Sequence, residues 1–363
     1  MSNNLLVIAH GRDRRSLATE ALARLGIERI LPPGAAIGLK PNLVVVKPSS
    51  SGATTDPELA AGVLGYLHDH GWRDFTILES SGLGMDTEQA FRVSGYEKVA
   101  KEFGARLIDL KKDATEKVSA GGLEMEICQK ALEADFLIDL PVLKAHCQAK
   151  LTCALKNLKG CIPDREKRRF HTLGLHQPIA CLAKALPVAL VVVDAVAGDL
   201  SFEEGGNPVP MDRVIAGLDP VMVDAYAAEL IGYAPEEIEY IGLAAGLGVG
   251  RADPAQRRLL ELGGEYKLLA GPAQGHAAVT LARYVEARAA CSVCYGALLH
   301  ALARMQASGL DPPKRKISIG QGFRGTAGAG PGIGDCAARL TPYLPGCPPG
   351  TREMVEFLKS AGS

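Results

Sequence analysis

Four cysteines near the carboxyl end of the chain have the type and spacing of a metal site. Cys291 and Cys294 form a C-x-x-C pair, and Cys336 and Cys347 follow, the latter in the sequence PGCPPG. Four thiolates suit either tetrahedral zinc or a 4Fe-4S cluster. The number of residues between Cys294 and Cys336 is large for a compact zinc ribbon. We therefore predict that these four residues are the metal ligands and favour a 4Fe-4S cluster over zinc, with unligated thiols as the third alternative.

A second concentration of reactive side chains lies in residues 140–171. It follows the apolar run ADFLIDLP, which predicts a buried strand ending at the edge of a sheet. A histidine and a lysine that converge there suit an acid/base pair or a clamp for an anion. We predict that His146 and Lys156 are catalytic and that Lys144 and Asn157 bind the substrate. The alternative is a solvated lysine and a histidine satisfied by a backbone carbonyl.

The order of elements explains how distant residues would reach this edge. Short apolar runs alternate with helical segments, which is typical of βαβ units and a mostly parallel sheet with helices on both faces. Ligands of such sheets bind beyond the carboxyl ends of the strands. Two further strand ends carry Lys40 and Asn42, then Glu79 and Ser81. We predict that Lys40, Asn42 and Ser81 bind the substrate beside His146.

The predicted fold class is α/β: a mostly parallel sheet flanked by helices, with a small C-terminal cysteine-ligated module. We place the α/β domain at residues 1–285 and the module at residues 286–363. Within the module we expect a helix over 297–307 and a strand over 316–319. The glycine-rich stretch 320–334 is expected to be a loop whose backbone N–H groups bond cluster sulfides.

Other local patterns give further expectations. A helix is predicted to begin near Gln148, and the valine run 44–46 is rich in β-formers. Asp219 is predicted to cap a helix opened by Pro220, within which Asp224 is expected to be an exposed acid. A strand is predicted over residues 277–281.

The remaining five cysteines do not form a C-x-x-C pair. Cys128 and Cys181 are expected to be buried as small hydrophobic residues. Cys147, Cys153 and Cys161 could ligate a second metal, although their spacing does not favour it. A disulfide framework is not expected, because a reducing compartment keeps thiols free.

Composition limits the partners. The 363 residues carry a formal net charge of -1 and are 47% hydrophobic, so no long-range field attracts nucleic acid or an anionic membrane. The N-terminal apolar run lacks a preceding basic segment, and no run approaches the roughly 18–20 apolar residues of a spanning helix. We expect a cytoplasmic protein. The loop at 82–84 lacks the lysine of a phosphate-binding P-loop, so a plain strand-to-helix turn is favoured over a nucleotide site.

Several motifs together resemble the family known as DUF362, a domain of unknown function often found with iron–sulfur ligands. The likeness covers roughly residues 36–250 and strengthens the iron–sulfur prediction. It rests on these stretches: KPNLV (40–44), TTDPELA (54–60), ILESSGLG before FRVSGYEKVA, LPVLKAH (140–146), LTCALKNLKG (151–160) and GLDPVMVDAYAAELIG (217–232).

The order of elements around ILESSG and LPVLKAH is also similar, more distantly, to the nickel-pincer lactate racemases. That resemblance implies that His146 matches a catalytic histidine, that Lys156 matches the lysine bound to the cofactor, and that His171 loosely matches a metal-binding histidine. The second catalytic histidine of those enzymes, expected in the loop ESSGLG, is absent from this sequence.

These observations lead to a hypothesis with two alternatives. The first is an iron–sulfur oxidoreductase that acts on an anionic small molecule or cofactor held around His146 and Lys156, with a redox partner protein. The second is a non-catalytic electron-transfer or assembly protein. The third, carried by resemblance alone, is a racemase-like enzyme with a metal cofactor.

Overall fold

Strands and helices alternate through most of the chain. The computed structural model describes residues 4–264 and 280–361. Within these ranges the strands are β1 (Leu5–His10), β2 (Ile37–Pro41), β3 (Phe75–Glu79), β4 (Arg106–Asp109), β5 (Thr115–Ala120), β6 (Leu123–Cys128), β7 (Phe136–Leu140), β8 (Lys144–His146), β9 (Lys150–Thr152), β10 (Leu190–Asp199), β11 (Pro208–Gly217), β12 (Arg258–Leu262), β13 (Val285–Ala287), β14 (Ile317–Ile319), β15 (Gly328–Ile333) and β16 (Leu340–Leu344). The helices are α1 (Arg14–Leu25), α2 (Pro57–Asp69), α3 (Thr87–Val93), α4 (Tyr96–Phe103), α5 (Gln129–Leu132), α6 (Ala154–Asn157), α7 (Asp164–Leu173), α8 (His176–Ala185), α9 (Pro220–Leu230), α10 (Glu239–Gly246), α11 (Ser292–Ala307) and α12 (Thr351–Ala361).

The large sheet has eight strands in the order β12-β1-β11-β10-β7-β2-β3-β4. All of its strands run in the same direction except β11, which is antiparallel to both of its neighbours. Central pairing is in register, with Leu39 of β2 opposite Ile77 of β3 and Ile138 of β7. The predicted α/β class with a mostly parallel sheet is confirmed, and β2, β3 and β7 bring their carboxyl ends to one edge.

Side chains of the large sheet alternate between two hydrophobic cores. In β1, Leu6 and Ile8 join the core on one face, and Val7 and Ala9 join the core on the other. The valine run of β10 likewise contributes to both faces, which explains why it is continuously apolar. Burial of each side chain of this size stabilises the folded state by about 1.5–3 kcal/mol. The sheet is therefore a stable support for the residues at its edge.

The C-terminal part forms a separate parallel sheet in the order β13-β14-β15-β16, with α11 and α12 packed around it. Its own core includes Leu298 and Leu302 of α11 and Met354 of α12. The predicted strand at 316–319 is confirmed as β14, and the predicted helix begins earlier, at Ser292. The domain boundary placed after residue 285 stays a prediction.

Three local predictions were wrong. The chain after Gln148 forms β9, paired with β8, because Lys150 adopts a φ of 63° and turns the chain back. The valines at 44–46 form no strand and instead loop over Gly82, whose N–H donates to the Val44 carbonyl. Part of the glycine stretch expected to be a loop pairs as β15. The strand predicted at 277–281 falls mostly outside the described residues.

The helix cap at Asp219 is confirmed, with Pro220 at the first helical position. Asp224, expected to be exposed, is fully buried. Its carboxylate oxygens accept hydrogen bonds from the N–H groups of Ala154 at 2.7 Å and Leu155 at 3.1 Å. Burial raises the pKa of this carboxyl to about 7. Asp224 therefore caps the short α6 from a neighbouring helix, which fixes the position of the lysines that follow.

None of the helices in the described part of the chain is long and apolar enough to cross a membrane.

We expect Asp224→Ala to destabilise the protein by about 2–4 kcal/mol, because two buried N–H groups at the start of α6 would lose their acceptor. The measurement is the urea unfolding midpoint at neutral pH. Asp69→Ala is the matched control, since Asp69 is an exposed acid at the end of α2. Equal midpoints for the two variants would contradict the capping role.

Candidate functional site

A cavity of about 80 Å³ lies at the carboxyl ends of β2 and β3. Its walls come from the loops after these strands, from the loop after β10, from α6 and the turn that follows it, and from the start of α11. Four of the predicted site residues line it: Lys40, Asn42, Lys156 and Asn157. The other three are buried outside its lining: Ser81, Lys144 and His146.

Lys40 and Glu79 form a buried ion pair in the wall of the cavity. Lys40 Nζ donates to Glu79 Oε2 at 2.9 Å and to the Pro41 carbonyl at 2.7 Å. The same Glu79 oxygen accepts the Leu43 N–H at 2.8 Å, and Oε1 accepts the Ser80 N–H at 2.8 Å. Because both charges are fully engaged by protein groups, this pair orders the loops after β2 and β3.

Asn157 joins α6 to the sheet. Its side-chain NH₂ group donates to Asp139 Oδ1 at 2.7 Å and to the Lys40 carbonyl at 3.1 Å. Asp139 is fully buried, and burial raises its pKa well above the usual range. The amide thereby connects α6 to β2 and β7.

Lys144 is fully buried and holds together loops around the cavity. Its ammonium donates to the carbonyls of Ala53 at 2.6 Å and Glu203 at 3.0 Å, and lies 3.4 Å from Asn42 Oδ1. Burial lowers its pKa to about 8. Its predicted contact with a substrate stays a prediction, because its partners in the structure are protein oxygens.

Ser81, on the loop after β3, is also predicted to bind a substrate and is fully buried. Its carbonyl accepts a hydrogen bond from Lys167 Nζ at 2.7 Å, and its neighbours Ser80 and Gly82 line the cavity.

His146 sits behind the cavity with its tautomer fixed. Its Nδ1 accepts hydrogen bonds from the N–H groups of Gln148 at 3.1 Å and Ala149 at 2.8 Å, so the ring proton is on Nε2. Nε2 lies 3.0 Å from Glu203 Oε2, close but poorly aligned for a hydrogen bond. Burial lowers the pKa of His146 to about 4, so the ring is neutral at pH 7. His146 therefore does not line the cavity, and Glu203 lies between its ring and the cavity.

Glu203 is the central acid of the site and was missed by sequence reasoning. Its carboxylate accepts a hydrogen bond from Lys156 Nζ at 2.5 Å and also contacts His146. Burial alone would raise its pKa, but His146 and Lys156 outweigh burial and hold that pKa well below the usual range. The signal was present as two adjacent acids in EEGG, shortly after the central strand β10.

Glu204, the next residue, also lines the cavity and differs from Glu203. Its Oε2 atom is buried and has no hydrogen-bond partner among the described residues. Burial, followed by the charge of Glu203, raises its pKa to about 7. The Glu204 carboxyl packs against the bare Cα of Gly296 in α11, where a Cβ atom would lie 2.3 Å from Oε1. Glu204 is therefore placed to gain and lose a proton near neutral pH.

Two more lysines line the cavity without having been predicted, together with His171, which only the resemblance to the racemases had singled out. Lys167 Nζ donates to the Ser80 carbonyl at 2.7 Å and lies 3.3 Å from Asp164 Oδ1. Lys159 Nζ lies 3.5 Å from His171 Nε2, which also accepts the Ser292 N–H at 3.4 Å. Burial, followed by the charge of Lys156, lowers the pKa of Lys159 to about 7. The cavity is therefore rich in cations.

The four predicted metal ligands surround the start of α11. Cys291 is the N-cap of this helix, and the N–H of Cys294 donates to its carbonyl at 3.0 Å. Burial, followed by Cys336 and Cys347, raises the pKa of Cys291 to about 11. Burial and the other three thiols likewise raise the pKa of Cys294 to about 12. The four sulfurs are therefore near enough to interact electrostatically, although no group of three or more His, Cys, Asp or Glu residues in the described ranges is placed to hold a single metal ion.

The segments that carry the four cysteines also approach the loop after β3 and the cavity. A Cβ atom on Gly84, in the loop after β3, would lie 2.7 Å from Cδ of Pro348. Ser292 and Val293, the residues between Cys291 and Cys294, line the cavity. The cysteines therefore lie close to the cavity.

The other cysteines are dispersed. Cys128 and Cys181 are buried, as predicted. Cys153 and Cys161 belong to the hydrophobic core beneath α6, and Cys147 packs against the C-terminal core. Burial raises the pKa of the thiols in all three. They are therefore placed as packing residues.

Comparison with known sequences assigns the chain to a family. The family described as Domain of unknown function (DUF362) matches residues 37–229. The chain belongs to this family. The predicted DUF362 membership is confirmed, and all cavity-lining residues except Ser292 and Val293 lie within the matched region of this DUF362 protein.

The DUF362 chain is similar to a thylakoid-associated protein of Synechocystis sp., with 25% identity over 212 residues that cover 57% of this chain and 64% of that protein. Among solved structures it is similar to the lactate racemase apoprotein from Thermoanaerobacterium thermosaccharolyticum, with a TM-score of 0.41, 14% identity and coverage of 62% of this chain and 57% of that one. A protein from Thermotoga maritima gives a TM-score of 0.41, 15% identity and coverage of 65% and 60%. The chain thus spans less than two thirds of each of these proteins.

Gly160→Ala is expected to destabilise this DUF362 protein by about 3 kcal/mol or more, because an added Cβ atom would lie 2.0 Å from Glu79 Oε1 and 2.5 Å from Lys40 Nζ and would force the buried ion pair apart. Urea unfolding measures the effect. Gly242→Ala in α10 is the control: it meets no atom within 4 Å and should leave the stability unchanged or slightly higher. A wild-type midpoint for Gly160→Ala would show that the pair does not constrain this position.

His146→Asn is expected to change how stability depends on pH. An unfolded histidine takes up a proton near pH 6.5, whereas burial lowers the folded pKa of His146 to about 4. The wild type should therefore lose up to about 3 kcal/mol as the pH falls from 6.5 to 4, and His146→Asn should lack that loss while its amide oxygen still accepts the two backbone N–H groups. Urea unfolding across this range is the measurement. His68→Asn, on the partly exposed face of α2, should follow the wild type, and parallel curves for all three proteins would exclude a buried neutral His146.

Proposed function

We propose that this protein is an iron–sulfur oxidoreductase that acts on a small anionic molecule bound in the cavity. The observation that carries the proposal is the position of Ser292 and Val293. These two residues lie between the cysteines of the C-x-x-C pair and also form part of the cavity wall. A redox centre held by these cysteines would therefore adjoin whatever the cavity binds.

The cysteine site has the donor set of an iron–sulfur cluster. All four donors are sulfur, and the thiols of Cys291, Cys336 and Cys347 raise the pKa of Cys294. The long spacing between Cys294 and Cys336 along the chain favours a cluster over a compact zinc site. Polar groups lie beside the sulfurs: Gln321 Nε2 is 3.7 Å from Cys291 Sγ, and Arg324 bonds Cys336, which raises the pKa of Arg324. When bound, the cluster would supply or accept electrons one at a time, in exchange with a partner protein.

The side chains of the cavity have separate tasks in this proposal. The lysines bind the anionic group of the substrate and orient it. Lys156 is held by Glu203, which is in turn backed by the neutral His146. Glu204 holds a proton near neutral pH and has a free oxygen, so it can exchange that proton with the substrate when electrons are transferred. His146 is then a positioning residue that acts through Glu203.

The cavity favours an enzyme over an electron carrier. A carrier needs only a cluster near a docking surface, whereas this cavity keeps several lysines and acids buried at a cost in desolvation. We do not propose racemisation, because the loop after β3 carries no second histidine.

Protein purified without oxygen is expected to contain about four irons and four sulfides per chain and to give an electron paramagnetic resonance signal after reduction. Cys294→Ser should lose most of the iron and the visible absorbance, because one ligand is removed. Cys128→Ser is the control, because Cys128 is not one of the proposed ligands and is far from them along the chain. Cys128 is buried and donates to the Leu110 carbonyl, which a serine can also do. Stoichiometric zinc without sulfide would overturn the cluster.

The enzymatic part is tested under anaerobic conditions with the reduced protein and a panel of small carboxylates and phosphates that carry a reducible carbonyl or carbon–carbon double bond, which would accept two electrons and two protons. At least one of them should reoxidise the cluster, and Glu204→Gln should slow that step about ten-fold or more while leaving the iron content unchanged. Reoxidation at the same rate in both proteins would remove Glu204 from the reaction, and reoxidation by none of the panel would favour the carrier.

A further inference from the structure

The lysines that line the cavity differ in what balances their charge. Lys40 pairs with Glu79, Lys156 pairs with Glu203, and Lys167 pairs with Asp164. These three ammonium groups are compensated inside the protein. Lys159 is different, because among the residues that the structure describes no carboxylate lies within ion-pair distance of it, and its contact is His171 Nε2 at 3.5 Å.

The surroundings of Lys159 favour an anion from outside. The charges of Lys156 and Lys167 lower its pKa, and the carboxylate of Glu203, which already pairs with Lys156, raises it. The fold thus places a further amine, about half of it protonated at neutral pH, in the cavity beside two other lysines. Such an arrangement is costly without a counter-ion, and a bound anion would relieve both the burial and the repulsion.

Two other groups of the same cavity are ready to donate hydrogen bonds. Thr152 lines the cavity and is 1% exposed, and its hydroxyl has no hydrogen-bond partner in the described part of the chain. The 16-residue helix α11 begins at the cavity wall, where the Ser292 N–H is bonded to His171 Nε2 and the Cys294 N–H to the Cys291 carbonyl, so that Val293 carries the first N–H left for a ligand. Helix N-termini attract negative charge through these N–H groups and the helix dipole.

We propose that Lys159, the Thr152 hydroxyl and the Val293 N–H at the start of α11 form a subsite for the oxyanion, carboxylate or phosphate, of a small ligand. This subsite rests on the proposed function for the presence of an anionic ligand in the cavity, and it assigns the anion to a place that neither Lys40 nor Lys156 occupies. The anionic group would then lie beside Ser292, next to Cys291.

The cavity also limits the rest of the ligand. The cavity volume of about 80 Å³ favours a ligand of a few heavy atoms. Glu203 lines the same cavity as an ionised carboxylate and would repel a second anionic group. The ligand class is therefore a small monocarboxylate or phosphate whose remaining atoms are uncharged.

Ligand-observed nuclear magnetic resonance titrations can test the subsite with acetate and inorganic phosphate as oxyanion probes and acetamide as the neutral match of acetate. The wild type should bind at least one oxyanion and should bind acetamide at least ten-fold more weakly than acetate. Lys159→Met should weaken oxyanion binding about ten-fold or more, because it removes the charge while keeping an unbranched side chain. Lys159→Arg should stay within about three-fold of the wild type, since it keeps the charge.

Lys117→Met is the control, because Lys117 is exposed on the β5-β6 hairpin and should leave binding unchanged. A preference for acetate or for phosphate identifies which oxyanion the subsite takes. Binding by Lys159→Met equal to that of the wild type, equal binding of acetate and acetamide, or no binding of either oxyanion to the wild type would each overturn the subsite. The urea midpoint of Lys159→Met and the binding by Lys159→Arg separate loss of charge from loss of fold.

The two proposals can fail independently. A protein that binds acetate through Lys159 and contains no iron would keep the subsite and remove the redox function. A protein with a full cluster and no oxyanion binding would keep the redox function and remove the subsite.

Discussion

The organisation of this protein depends on the cost of burying ammonium groups at the end of an apolar sheet. Lys40 and Lys144 are fully buried there, and Lys156 and Lys167 nearly so. A charge removed from water must be met by a partner, and the chain supplies one from a distant segment in each case. Glu79 comes from the next strand, and Glu203 comes from a loop some fifty residues after Lys156. The loops around the cavity are ordered because these charges have to be matched.

The fold was largely predictable because its signals are local. Asp56 and Asp219 cap helices opened by proline, and runs such as that of β10 fill both faces of a sheet. The convergence of Lys40, Asn42 and Asn157 followed from the rule that parallel strands end at one edge. The prediction failed where a long-range contact overrides local pattern: residues after Gln148 are a hairpin followed by a helix of one turn, and Asp224 supplies the cap of that helix from far along the chain.

Roles within the site were harder to predict than positions. His146 was expected to react with a substrate, but its ring accepts two backbone N–H groups and stands behind Glu203. Which residue stands in front depends on the path of the loop after β10, and the sequence EEGG does not specify that path. Lys159 and Lys156 look alike in sequence, and only the positions of the acids show that one is paired and the other is not. Pairing across the chain is a tertiary property.

The start of α11 lies outside the region that matches the family, yet it completes the cavity with Ser292 and Val293. Without this segment, the lysines and acids of the matched region would lie in a cavity that lacks one of its walls. Relatives that carry another segment at this position would keep the same charged base under a different wall, and so would select different ligands. Reactivity and selectivity would then reside in different parts of the chain, the first in the matched region and the second in the segment that follows it.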